Sequence, residues 1–447
     1  MTTIDQAVYR KPLPVDERDR RRFPFLDSDF MPRVLKLDNR LRWVANVLAM
    51  ACLLVAPFRG SAGMRAGCLV LSAIALAIAS WPWRDVRKYW SASASVNGLV
   101  VAWLAVTFCW SMLDQSPFVA MGEWKRDVLT PALAYFVFNT LTRSRADLNR
   151  WFSVLAVGLL GLTILIFRDP QSRFDGNVQA AYGGVGALST WLIIMAALWP
   201  LAGRRAEEGA AWHRLLASLI GVVILVCAYM TGNRIIWICF AFMLSVYVAG
   251  MALPSSPGRM RWRTVLVLLT GGVTLFASLA YFSSHMRFDN GAGQRVDVVE
   301  TAVHDPRPQI WQESLAVMKK MPWYGLGFGI DALKPKLEAR FENRGVAERY
   351  GHGHNLVLNY GLQMGYVGAG VMLLLIIGLL SVFVPFRGEG AWSRLVSICG
   401  AMLITGFFVR NMTDDFFHRH SALFFWSAIG MLMGARQFDE ARSTRPT

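Results

Sequence analysis

Hydrophobic and polar positions divide the chain into twelve apolar runs separated by mostly short polar links, at roughly 41–58, 66–83, 96–113, 128–142, 151–167, 180–202, 214–231, 235–253, 264–283, 356–386, 393–409 and 420–435. A bilayer core of ~30 Å takes about 20 helical residues. The runs are continuous rather than alternating, which excludes the strand pattern of a membrane barrel and leaves helices as the only way to satisfy the backbone in lipid. The fourth run is short for a span and the tenth long. The pattern predicts an all-α membrane protein of about twelve transmembrane helices.

Composition agrees: of 447 residues, 54% are hydrophobic and 17% charged. Lys and Arg then orient the spans. With the N-terminus inside, the inner links carry roughly three times as many basic residues as the short outer ones, which the positive-inside rule reads as both termini cytoplasmic. The expected organisation is a cytoplasmic segment at 1–40, transmembrane helices 1–9 over 41–283, a periplasmic loop at 284–355, transmembrane helices 10–12 over 356–435 and a cytoplasmic tail at 436–447. The formal charge of +16 is therefore mostly a topology signal and gives no reason to expect nucleic-acid binding. The first apolar run follows about forty charge-rich residues with no small-residue cleavage site, so it reads as a retained anchor in a multi-pass inner-membrane protein. Cys52, Cys68, Cys109, Cys227, Cys239 and Cys399 all fall inside spans without C-x-x-C spacing, which supports neither disulfides nor a zinc site.

The loop at 284–355 is far longer than ordinary connections. It opens irregularly with SSHMRFDNGAGQRVD, then predicts a helix at about 308–320 with Trp311, Leu315 and Met318 on one face. MPWYGLGFG ends that helix. A second helix is predicted at about 331–348, with Leu333, Leu337 and Phe341 on one face and Lys334, Glu338 and Glu342 on another. Amphipathic helices of this kind lie over the outer ends of spans.

Candidate chemistry gathers on that outer side, each residue with a bland alternative, which for Arg410, Asn411, Asp414 and Asp415 is that they simply pair among themselves. Arg234, in TGNRIIW, sits at the mouth of the eighth span, where the bland reading is a snorkelling interfacial arginine. Arg307, in DPRPQIW, stands at a helix N-terminus, where a cation opposes the macrodipole and an anionic ligand would offset that cost. His352, His354 and Asn355 lie in GHGHNLVLNYGLQMG just before the tenth span, and Arg410, Asn411, Asp414 and Asp415 occupy the last outer link. Histidines two apart share no helix face, and no carboxylate spacing completes a metal site. Two guanidinium groups and an imidazole suit a diphosphate: the former bind its oxygens and stabilise a departing charge, and the latter takes a proton near neutral pH. The spans carry no charge at mid-depth, which argues against an ion-coupled transporter.

The motifs RPQIW, MPWYGLGFG, H-x-HN-x-x-L with GLQMGYVG, and the N-R link before the eighth span resemble those of the O-antigen ligase and polymerase superfamily of polytopic glycosyltransferases. The chain is most similar to the O-antigen ligases. The resemblance implies a GT-C-like architecture and transfer of polysaccharide from undecaprenyl diphosphate to the lipid A core at the periplasmic face, with no metal, nucleotide or other cofactor. By position it implies donor-diphosphate binding by Arg234 and Arg307, and acceptor deprotonation or diphosphate contact by His354. His352, Asn355, Arg410, Asp414 and Trp311 are expected as further substrate contacts. O-antigen polymerases and protein O-oligosaccharyltransferases share these motifs and differ in the acceptor.

Overall fold

The computed structural model describes residues 30–79, 94–168, 174–208, 211–252, 262–287, 306–341, 351–384 and 390–443, and among them there is helix but no strand. The helices are α1 (Phe30–Val55), α2 (Ala62–Ala79), α3 (Ala94–Met112), α4 (Pro117–Trp124), α5 (Thr130–Leu141), α6 (Arg145–Phe167), α7 (Phe174–Ala181), α8 (Val185–Glu208), α9 (Ala211–Met230), α10 (Arg234–Ala252), α11 (Trp262–Arg287), α12 (Arg307–Lys320), α13 (Ile330–Glu338), α14 (Leu356–Phe383), α15 (Ala391–Asn411) and α16 (Arg419–Ser443). Eight of them, α2, α3, α6, α8, α9, α10, α14 and α15, are long and apolar enough to cross a membrane. Every apolar run of the sequence coincides with a helix. The fourth is only the 12-residue α5, which continues a π-turn at Lys125–Leu129.

Trp151, Trp191, Trp237 and Trp426 are fully buried between the helices, whereas Trp43, Leu215, Val267 and Ile164 point outward. An apolar exterior around an apolar core is what a lipid-facing bundle requires. Close approach of α16 to α5 depends on Gly430 and Gly434, four residues apart, because a side chain at either would collide with the α5 backbone at Tyr135 or Asn139. This is the small-residue spacing by which membrane helices come into contact.

One end of the bundle is covered by a cap formed from residues 306–341. Ile310, Val317, Met318, Leu326, Leu333, Leu337 and Phe341 form a small core of their own with Leu362 of α14. The buried face of α12 is thus Ile310, Ser314, Val317 and Met318, while Leu315 is 46% exposed and Trp311 half-buried. The face expected from spacing, Trp311, Leu315 and Met318, is corrected to one turned toward Ile310, with only Met318 in common, because the partner surface of Leu362 and the strap decides which stripe is covered. The helix expected at 331–348 ends as α13 at Glu338, and its expected continuation at 342–348 lies outside the described residues, as does most of the irregular start of the loop.

The strap between α12 and α13, MPWYGLGFG, explains the unusual length of the tenth run. At Gly365, α14 leaves helical geometry with φ +70°, ψ −165°, so a short first limb precedes the long one. The break frees the carbonyls of Leu362 and Gln363, which accept from the backbone N–H groups of Leu326 (2.8 Å) and Gly327 (3.1 Å). A Cβ at 365 would run into the Trp323 carbonyl, so only glycine permits this approach. Trp110 of α3 donates to the Tyr324 carbonyl at 2.8 Å. Glu123 of α4, buried, accepts from the Asp331 N–H at 2.8 Å at the start of α13. A carboxylate on the orphan N–H groups of a helix start is worth about 1 kcal/mol as a cap.

Candidate functional site

The functional side chains collect at the cap end, where α14 and α16 begin and α15 stops. Asn355 is the N-cap of α14: its Oδ1 accepts from the Leu358 N–H at 3.1 Å, and its Nδ2 donates to the Met412 carbonyl at 3.0 Å. Its amide is thereby committed to joining the start of α14 to the link after α15. His354, immediately before the cap, has φ +44°, a left-handed conformation that a non-glycine residue adopts at a cost of about 1–2 kcal/mol. The turn brings the His352 and His354 rings to 4.0 Å between centroids.

Asp414 enters from the last link and completes the centre. Its Oδ1 lies 3.0 Å from His354 Nδ1 and 3.9 Å from His352 Nε2. Burial alone would raise the Asp414 carboxyl, but the hydrogen bond from His354, the Arg410 guanidinium and the two imidazoles outweigh it and hold the group well below the usual carboxylate range. An ionised carboxylate accepts only, so Nδ1 of His354 is the donor in this pair. His352 is pushed down to about 4 by burial and by His354. Consistent with a neutral ring, its Nδ1 accepts from the His354 backbone N–H at 3.3 Å.

His352, His354 and Asp414 thus supply the carboxylate that spacing in the sequence did not, and offer one ligand atom each, all within 4.8 Å of one another. Ligand atoms on a shared tetrahedral ion at ~2.1 Å stand roughly 3.4 Å apart. The widest separation exceeds this, and the 3.0 Å approach is that of a hydrogen-bonded pair.

The remaining candidates join through neighbours. Arg410, 2% exposed, lowers the Asp414 carboxyl through its charge, and it also donates to Ser189 Oγ at 3.3 Å and Thr413 Oγ1 at 3.4 Å and lies over the Phe416 ring. The Ser189 hydroxyl also accepts from Asn233 Nδ2 at 3.0 Å and donates to the Gly186 carbonyl at 2.8 Å. Asn233 directly precedes Arg234, the first residue of α10, so the eighth-span mouth is tied through α8 and α15 to the Asp414 link. On the other side, Trp311 Nε1 donates to the His354 carbonyl at 3.3 Å. Arg307 is the first residue of α12 and lies one turn before Trp311, on the same helix face.

Sequence reasoning missed Ser189, Asn233, Asn359, Asp415 as a structural group, and His418. Ser189 and Thr190 are fully buried polar residues inside an apolar run, which was the available signal. Asp415 accepts from Asn359 Nδ2 and from the Phe417 N–H, and burial pushes its carboxyl up to about 6. His418, pushed down to about 4 by burial, then by the charges of Arg419 and His352, stands behind the centre with a buried Nδ1 that makes no hydrogen bond.

Residues 219–373, about a third of the chain, match the family model described as O-antigen ligase. That stretch holds Arg234, Arg307, Trp311, His352, His354 and Asn355, while Ser189, Arg410 and Asp414 lie outside it. The comparison with curated proteins gave no match.

Proposed function

From the premise that residues 219–373 carry an O-antigen ligase domain, we propose that the chain is an O-antigen ligase of the inner membrane. It transfers polysaccharide from undecaprenyl diphosphate to the lipid A core at the periplasmic face, with inversion and without metal or nucleotide. The observation that carries this reading is the His354–Asp414 pair at 3.0 Å, set in a network that reaches both the Arg234 mouth and the Arg307 helix.

Asp414 keeps the proton on Nδ1, so His354 Nε2 accepts the proton of an acceptor hydroxyl as its oxygen bonds to the anomeric carbon. The bond from that carbon to the donor phosphate breaks, and its electron pair leaves on the lipid diphosphate. Arg234 and Arg307 bind those oxygens and stabilise the charge that forms. The proton held by His354 then passes to the released diphosphate or to water. Asn355, Trp311, Arg410 and Asp414 hold this arrangement, the first two through the His354 turn, Arg410 from the last turn of α15 and Asp414 from the link after it. In this topology about twelve spans place the cap outside and both termini in the cytoplasm, within a GT-C-like architecture.

The purified protein, given a lipid-diphosphate glycan and a lipid A core acceptor, should form the joined product with chelator present and ATP absent. A requirement for metal or ATP would contradict the mechanism, as would no product from substrates shown to be competent. Omitting the core acceptor separates this reading from a polymerase: chain extension under that condition would replace the ligase assignment.

A further inference from the structure

A concave feature lies at the cap end, between the end of α3 and the strap, and has no part in the reaction above. It is an open groove of about 90 Å³. Its wall is aromatic: Trp110 and Tyr324, the latter 48% exposed, with the Trp110 indole N–H already used on the Tyr324 carbonyl. Its floor is polar. Asp114, whose side chain is fully buried, pairs with Lys336 at 3.1 Å and accepts from the Phe328 N–H at 3.1 Å. Gln115, exposed, contributes an amide that both donates and accepts. Arg340, also exposed, spends one N–H on the Lys336 carbonyl at 2.9 Å and lines the rim with the rest of its fork.

We propose that this groove is a carbohydrate subsite that holds sugars of a membrane-anchored substrate away from the reacting bond. A pyranose presents an apolar C–H face and a rim of hydroxyls that donate and accept at once. Aromatic faces beside an exposed amide and cations match both, as in small-molecule pockets where a few polar groups orient an otherwise apolar contact. A bare phosphate fits less well, because it would leave the aromatic wall of Trp110 and Tyr324 without a partner. The placement suits a chain already engaged at His354. The strap is bonded to Gln363, eight residues along α14 from Asn355, which is about 12 Å at the helical rise. This inference rests on the transferase reading for the origin of the sugars, and the donor and acceptor glycans are its two sources.

The test is glycan binding to the full-length protein in detergent micelles. The two probes are the core oligosaccharide freed of lipid A and the O-polysaccharide freed of its lipid carrier. One of them should bind. Tyr324→Ala and Gln115→Ala should each weaken that binding roughly tenfold, the scale of one aromatic or charged-edge contact, whereas His354→Ala should leave it intact. Tyr324→Ala keeps the carbonyl that Trp110 uses, so the strap stays in place. In the transfer assay the KM for the matching substrate should rise by the same factor with kcat retained, and the substrate affected identifies the source. Binding of neither glycan, or binding unchanged in the Tyr324→Ala, Gln115→Ala double variant, overturns the subsite. Transfer by wild type with unaltered groove variants removes the subsite alone, and glycan binding without transfer removes the reaction alone.

Discussion

At the scale of single residues, the centre depends on one carboxylate. In the proposed mechanism Asp414 acts through His354, so Asp414→Asn should lower kcat by roughly a hundredfold, the scale of general-base catalysis, with KM for both substrates little changed. An equal loss in KM would instead make Asp414 a substrate contact. His354→Ala, Arg234→Ala and Arg307→Ala should each abolish transfer while the protein remains in the membrane. His352 supplies a separate, structural test. Its folded pKa of about 4 lies below the ordinary 6.5, so the unfolded chain binds a proton that the native site refuses. Its contribution to stability is complete above 6.5 and declines as pH falls from there toward 4. Thermal melting across that range should show a fall that His352→Gln makes shallower, with the buried His418 and His420 contributing the rest; the same slope in the variant would remove this role. These residues were visible in the sequence as types and neighbours, but their partners were not. Spacing offered Arg410, Asp414 and Asp415 to one another, and packing adds Ser189 of α8 to Arg410 and His354, just before α14, to Asp414, partners more than fifty residues away that nothing local reveals.

At the scale of elements, the two glycine-rich motifs prove to be halves of one joint. MPWYGLGFG reads as a helix stop and GLQMG as part of a long span, and nothing local reveals that the first bonds to carbonyls freed by a break in the second. The excess length of the tenth run was the only trace. Gly365→Ala places a Cβ against the Trp323 carbonyl in a conformation reserved for glycine, at a cost of about 2 kcal/mol or more. It should lower the melting temperature and expose the strap to protease, while a distant change such as Gly370→Ala, with open space around the site, should do neither. Wild-type protease resistance in Gly365→Ala would show that the joint is not what holds the cap. The face of α12 was misread by spacing, which chose the Trp311 and Leu315 stripe, because only the tertiary partners Leu362 and the strap select the Ile310 stripe instead.

At the scale of the whole molecule, apolar periodicity identified the helices, because a hydrocarbon solvent admits so few alternatives. Their packing order was beyond it: nothing along the chain pairs α5 with α16, which meet through Gly430 and Gly434 far from α5 in sequence. The central claim is that the end carrying His354, Asp414 and the cap faces outward. Single cysteines introduced at the exposed positions Arg59, Gln115 and Lys320 of that end, and at Arg204 and Gly390 of the opposite end, test it in a cysteine-free background with a membrane-impermeant maleimide on intact cells. The account predicts labelling at 59, 115 and 320 without permeabilisation and at 204 and 390 only after it. Labelling at 204 or 390 in intact cells, with 115 and 320 protected until the membrane is opened, would contradict it.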